Sequence, residues 1–388
     1  MQRIWQQIKN LLLTFCVLVT LTVGVLVATH YKETELLLRT FLVLRYHALE
    51  PVKGDKLIEG ALKGMVEALG DPYSAYLDSN TYRHLQESVS GSYGGIGLLI
   101  TIDEKDKRLM VISPFKGTPA HRAGIKSRDY ILMIDDRDTA GMDLETAAKL
   151  MQGEPGTQVE LLVLSEGDPA PRRIKLTREV IKVPTVEGRL LPGYPDVGYV
   201  NITMFNEQTP KDLGNTLEVL RQQGMKKLVL DLRNNPGGAL SAAVDVASYF
   251  IPQGPIAYIA DQKRLEPLLA RGYARPLPLV VLVNRGTASA AEIVAGALQD
   301  TGKGVLVGEP TFGKGVVQTV FPLPGDSAVK ITTHKYLTPG KRDINKKGII
   351  PDHLVELDPQ WEQEVLLRAP DISRDSQLQK ALEVLNSL

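Results

Sequence analysis

The sequence predicts an α/β multidomain protein, and three observations carry that expectation. Over residues 195–358, apolar strand-like runs alternate with helical stretches, the layering of a largely parallel sheet covered by helices. Ahead of that region, from Gly91 to about Thr177, the texture changes to short β-like runs separated by turns. The chain has 388 residues, too many for one ordinary core and enough for two or three domains.

Composition agrees with a folded protein: 43% of residues are hydrophobic and 23% charged. Lys plus Arg and Asp plus Glu number 45 each, so no nucleic acid or anionic surface is expected as the main partner.

The chain divides into five segments, 1–30, 31–90, 91–180, 181–360 and 361–388. The first reads as a cytoplasmic tail and a membrane anchor. Residues 11–29, LLLTFCVLVTLTVGVLVAT, carry no charge and follow Arg3 and Lys9. At ~1.5 Å rise per residue the run spans ~28 Å, close to a bilayer core. The preceding positive charge keeps the N-terminus inside and sends the remainder across, which places everything after the run in the cell envelope, on the periplasmic side. The rival is a cleaved signal peptide and a secreted protein. Its apolar region is usually shorter, and the exit Val27-Ala28-Thr29-His30-Tyr31 is a weak match to a cleavage site. Cys16, the only cysteine, lies inside the run, so the exported part has no disulfide, thiolate metal site or cysteine nucleophile.

Residues 31–90 read as a helical packing or dimerising cap. Ile58, Ala61, Leu62, Met65, Val66 and Leu69 fall on one helical face, and Gly70-Asp71-Pro72 ends that helix. In segment 91–180 the runs GIGLLITI, RLMVISP, DYILMIDD and QVELLVL read as strands, with short helices near Pro119–Ala123 and Leu144–Met151. Its opening, Tyr93-Gly94-Gly95-Ile96-Gly97-Leu98, is a glycine-rich turn leading into a strand. Bare amides in such a turn can cradle a carboxylate, and the strand edge can accept an added peptide strand; an ordinary hairpin or bulge is the plainer alternative. In segment 181–360, runs such as LVLDL and LVVLV are apolar almost throughout, as strands buried on both faces require. In the tail, Leu378, Ala381, Leu382, Leu385 and Leu388 form an apolar stripe, expected to close on this subunit or on a partner chain.

The chemistry concentrates between residues 231 and 318. Ser289 opens an Ala-rich helix, and Lys314 lies between Gly313 and Gly315. A serine hydroxyl becomes a strong nucleophile when a base takes its proton, and a lysine amine is such a base if held neutral. Two plainer readings stand beside this one. Ser289-Ala290-Ala291-Glu292 also matches a capping box, and Lys314 alone is an ordinary surface lysine. The two roles of Ser289 are compatible, because a helix start presents unpaired amides, that of Ala290 among them, able to hold an oxyanion. Asp231 to Gly238, DLRNNPGG, reads as a buried strand running into a glycine turn. Ligands gather beyond the carboxyl ends of such strands, so a second oxyanion donor can sit there. None of the six histidines lies in a triad motif, and neither G-x-S-x-G nor H-E-x-x-H occurs.

TASAAE at 287–292, GKGVVQ at 313–318 and DLRNNPGG at 231–238, with DPYSAYL at 71–77 and KKGIIPD at 346–352, resemble the C-terminal processing peptidases, the tail-specific serine endopeptidases of family S41. The resemblance covers roughly residues 35–388. It implies a PDZ domain in segment 91–180 placed before a ClpP/crotonase-like α/β peptidase core, with a C-terminal helix after it. It also implies Ser289 as nucleophile, Lys314 as general base and Gln318 as the residue orienting the lysine. The Gly238 and Ala290 amides would then form the oxyanion hole, and Tyr93, Gly94, Gly95, Ile96, Gly97 and Leu98 the loop receiving a substrate's terminal carboxylate. Neither cofactor nor metal is called for. Expected partners are proteins with apolar C-termini, the membrane through 11–29, further copies of this chain and an activating adaptor protein. Many relatives carry arginine where this chain has Gln152, so a charge-based link from that domain to the active site does not transfer. Gln318 lies four residues past Lys314, ~13 Å along a regular strand, and reaches the amine only if Lys314 sits in a turn. The competing class is a catalytically silent, membrane-tethered PDZ adaptor on a peptidase scaffold.

Overall fold

The computed structural model describes residues 5, 9–10, 13–14, 29–103, 106–165, 167–357 and 372–388. The anchor expected over 11–29 lies outside them but for three positions. Among the described residues no helix is long and apolar enough to cross a membrane.

The chain forms two compact units, the smaller comprising Met1–Asp78 and Val320–Ile331. It contains α1 (Tyr31–His47), α2 (Gly54–Glu67) and β1 (Ala75–Leu77), which pairs antiparallel with Ala328–Lys330. Gly70, at φ 62°, lies just past α2, where glycine adopts a left-handed conformation without cost. The stripe expected to pack or to dimerise is mostly exposed in the single chain. Val66 is buried, whereas Ile58, Met65 and Leu69 remain open to solvent, as do Leu36, Leu37 and Leu38 of α1. Helical periodicity fixes which residues share a face, not whether the chain supplies something to cover it.

The larger unit holds Ser79–Thr319 and Thr332–Leu388. It begins with α3 (Ser79–Ser90) and β2 (Ser92–Gly95), then β3 (Leu98–Ile102), β4 (Leu109–Pro114), α4 (Pro119–Arg122), β5 (Tyr130–Ile134), β6 (Arg137–Asp138), α5 (Leu144–Met151), β7 (Gln158–Leu164), β8 (Arg172–Thr177) and β9 (Glu179–Lys182). The sheet order β3-β4-β5-β7-β8 leaves β3 at an edge. On β7, Val159, Leu161 and Val163 point inward in strict alternation, joining Ile131, Ile134 and Ala147 in one core. Tyr93 to Gly95 belong to β2, which pairs with β9, so the expected glycine turn narrows to Ile96-Gly97.

The rest of the chain runs β10 (Val186–Leu191), β11 (Tyr194–Ile202), α6 (Thr209–Gln222), β12 (Lys227–Asp231), α7 (Leu240–Ala247), β13 (Pro255–Ala260), β14 (Leu265–Leu269), β15 (Leu279–Val283), α8 (Ala290–Asp300), β16 (Val305–Gly308), β17 (Val316–Leu323), β18 (Ser327–Leu337), β19 (His353–Leu354) and α9 (Ser376–Ser387), with the end of β17 and the start of β18 counted in the smaller unit. A six-stranded sheet has the order β10-β11-β12-β15-β16-β19, parallel from β11 onward. Alternate residues explain its apolar strands. Leu228, Leu230, Val281 and Val283 pack with residues of α6, α7 and α8, while Val229, Val280 and Leu282 pack with Leu378, Ala381 and Leu385 of α9. Each such side chain taken from water contributes about 1.5–3 kcal/mol. The tail thus closes on its own sheet, with Leu388 exposed. β13, β14 and β18 form an additional antiparallel set in which Tyr258–Ala260 pair with Lys335–Leu337.

Candidate active site

Three neighbouring parallel strands end together, and a loop leaves the carboxyl end of each: β12 into 232–239, β15 into 284–289, and β16 into 309–315. Parallel strands buried on both faces can carry polar chemistry only at such ends.

The second loop turns sharply into α8. Ser289 has φ 54° and ψ −116°, a left-handed backbone that a non-glycine residue holds at a cost of order 1–3 kcal/mol. Strain of this kind at a serine between strand and helix is the device that lifts a nucleophile out of a turn. No glycine at the position signalled it.

Glu292 supports the strained turn. It is fully buried, and its carboxylate accepts four hydrogen bonds. One oxygen receives the Ser289 amide at 2.8 Å and the Lys314 amide at 2.9 Å, so these two nitrogens lie within about 5.7 Å of each other. The other receives the Thr311 hydroxyl at 2.5 Å and the Gly313 amide at 2.7 Å. The capping box expected from Ser289 and Glu292 therefore forms, but its carboxylate also binds a second loop and brings residues 289 and 314 together. Tyr336, buried beside it, donates from its hydroxyl to the Ser289 carbonyl at 3.1 Å. Burial, and then the Glu292 charge, push the Tyr336 phenol far above its ordinary range and keep it a donor.

The first loop presents its glycines to this turn. A Cβ on Gly237 would lie 2.8 Å from both the Ser289 Cβ and the Ala290 nitrogen, and one on Gly238 would lie 1.9 Å from the Phe205 carbonyl oxygen. Positive φ values of 100° and 139° add a second reason for glycine. Phe205 holds the turn from below: its amide donates to the Gly237 carbonyl at 2.9 Å, and its carbonyl accepts from Ala239 at 2.8 Å. Asn234 and Asn284 exchange reciprocal bonds of 2.8 Å, and the Ala288 amide donates to the Asn235 carbonyl. Among the described residues, no hydrogen bond uses the amide of Gly238 or of Ala290.

Gln318, expected to orient Lys314, donates from its side-chain amide to Thr332 on β18 at 3.1 Å. Among the described residues no cluster of His, Cys, Asp and Glu is placed to hold a metal.

A separate groove lies between the β3 edge and α5, lined by Tyr93, Ile96, Gly97, Leu98, Ile100, Ala148, Met151 and Gln152. Gly94 and Gly95 back it within β2, where a Cβ on Gly94 would meet the Gly153 carbonyl at 2.1 Å. Gly97, at φ 78°, packs against Thr118, and among the described residues no hydrogen bond uses the Ile96 or Gly97 amide. Burial, with Glu87 behind it, raises the Tyr93 phenol to about 12. The groove thus presents an uncharged donor and an apolar floor. Gln152, at the end of this lining, brings no charge to it.

Sequence reasoning took Glu292 only as a capping partner and missed Phe205, Tyr336 and the asparagine pair. Glu292 carried a usable signal, being a lone carboxylate in the apolar run AAEIVAGAL, where a charge persists only with partners.

Residues 196–355 match the family model for peptidase family S41, residues 111–165 that for the PDZ domain, and residues 27–81 that for the activating protease CtpB N-terminal domain. The chain is 38% identical over 351 residues to a carboxyl-terminal-processing protease of Synechocystis sp., covering 89% of this chain and 81% of that one. It is 42% identical over 304 residues to the protein of the same description from Picosynechococcus sp., covering 77% and 73%. A solved Bacteroides fragilis structure described as an S41 protease shares the fold, with a TM-score of 0.53, 18% identity, and coverage of 89% of this chain and 96% of that one.

Proposed function

This chain belongs to peptidase family S41, as a C-terminal processing protease with a PDZ domain, and we propose that Ser289 and Lys314 are its catalytic pair. The reading rests above all on the Glu292 carboxylate, which gathers the amides of both residues on one oxygen.

In this mechanism the groove beside β3 captures an apolar C-terminal tail by strand addition, its terminal carboxylate received by the Ile96 and Gly97 amides. A neutral Lys314 amine takes the Ser289 proton as Oγ attacks a peptide carbonyl carbon. The carbonyl π pair moves onto oxygen, and the Gly238 and Ala290 amides hold that oxyanion. Collapse of the tetrahedral intermediate breaks the C–N bond, and the Lys314 ammonium returns its proton to the leaving amine. Water, deprotonated by the same lysine, then hydrolyses the acyl ester and restores the serine. The run 11–29 holds the enzyme at the membrane with the catalytic part outside, an orientation that reporter fusions after residue 30 test.

The test compares wild type with Ser289→Ala on an unstructured peptide bearing an apolar C-terminus. Cleavage is expected to vanish while peptide binding persists; equal turnover by both proteins rules out the nucleophile assignment.

A further inference from the structure

We infer that Asp375, at the start of the C-terminal helix, is a positioning residue for the oxyanion turn, acting through Arg233. Four polar side chains far apart in sequence form one buried cluster here. Asp375 and Gln377 are fully buried, and Asp231 and Arg233 nearly so. The five N–H donors of the Arg233 guanidinium are all used. Nε bonds Asp231 at 3.0 and 3.1 Å. Nη2 bonds Asp231 at 2.6 Å and Asp375 at 2.9 Å, and Nη1 bonds Asp375 and Gln377 at 3.1 Å each. Asp231 also accepts the Tyr199 hydroxyl at 2.5 Å.

Arg233 is the residue from which the oxyanion turn departs. Its own amide is pinned to Asp231 at 2.9 Å. The next residue, Asn234, sits at φ 56° and pairs with Asn284. Asn235 then fixes the turn twice, its side chain accepting the Gly237 amide at 2.9 Å and its carbonyl the Ala288 amide. A guanidinium with one acceptor removed rotates to recover it, and in a close-packed site that rotation is passed to the backbone it belongs to. Asp375 has a second duty, because Oδ1, one of its two oxygens bound to Arg233, also accepts the Leu378 amide at 2.9 Å and caps α9. One carboxylate thus docks the end of the chain and holds the first residue of the turn. The C-terminal helix is by this account a part of the catalytic machinery and not only a cover for the sheet.

The inference rests on the assignment of the Gly238 amide as an oxyanion donor, so wild type and Ser289→Ala are run beside the new variants to test that assignment separately. Asparagine caps helices as well as aspartate, so Asp375→Asn keeps α9 capped while removing the charge that clamps Arg233. Asp375→Asn is expected to lower kcat about tenfold and Asp375→Ala about a hundredfold, the scale of a misplacement near 1 Å, with KM within about twofold of wild type. Gln377→Leu, which strips only the neutral acceptor from the same guanidinium, is expected to lower kcat about threefold. Folding is followed by circular dichroism and docking of α9 by resistance to limited proteolysis. A folded Asp375→Asn with kcat within about twofold of wild type, or with its loss wholly in KM, overturns the proposal. Should neither Asp375 variant fold, an unchanged kcat in Gln377→Leu overturns it as well.

Discussion

The proposed catalytic centre and the proposed peptide groove lie in the same compact unit, yet they are built on opposite plans. At the centre, a strained serine and two glycines at positive φ are held by buried charge, Glu292 on one side and the Asp231–Arg233–Asp375 cluster on the other. In the groove, an edge strand and a short helix leave an apolar channel between them with no charged residue among those lining it. Strained geometry needs many partners to persist, whereas capture of a chain end needs free backbone and an uncovered apolar face. The contrast implies that rate and capture can be damaged independently.

The largest effect expected of a supporting residue is at Glu292. Replacing it with alanine leaves four donors without their acceptor, and about 3–5 kcal/mol of stability should be lost on chemical denaturation. Glu292→Gln retains the shape but not the charge, and kcat is expected to fall about a hundredfold with peptide affinity unchanged. Weakened binding in that variant would break the proposed independence. Next in size, Gly238→Ala drives a methyl into the Phe205 carbonyl, and kcat should fall roughly a hundredfold through displacement of an oxyanion donor, again at constant KM. In the groove, Ile100→Lys should raise KM for an apolar-tailed peptide about tenfold and leave kcat within about twofold. Capture should also stay level through pH 10, because burial raises the Tyr93 phenol to about 12; isothermal titration across that range measures it. Smallest of all, Gln318→Ala should lower kcat less than tenfold, since its side-chain nitrogen bonds Thr332 and the residue can only steady the lysine through its oxygen. A hundredfold fall would instead place Gln318 at the reacting amine.

The same contrast explains what could be read from the residues alone. Alternating strands and helices, and the glycine-rich entry into β3, rest on local pattern, and both are present in the folded chain. The supports did not declare themselves because they are made across distance. Arg233 meets Asp375 from 142 residues away, and Glu292 meets Gly313 and Lys314 from the following loop. The positive φ of Ser289 was hidden for another reason: it is imposed by the surrounding loops and not preferred by serine. On α2 the periodicity set which residues share a face, and in the single chain most of that face is exposed.

The central claim, that Ser289 and Lys314 react as one unit, is tested most directly by kcat for Ser289→Ala, Lys314→Ala and the double variant on one peptide. Each single change is expected to lower kcat by about 10⁴-fold or more, and the double variant should be no worse than either, because a base without its nucleophile has nothing left to lose. Losses that multiply in the double variant would mean that the two residues act separately, and would contradict the account.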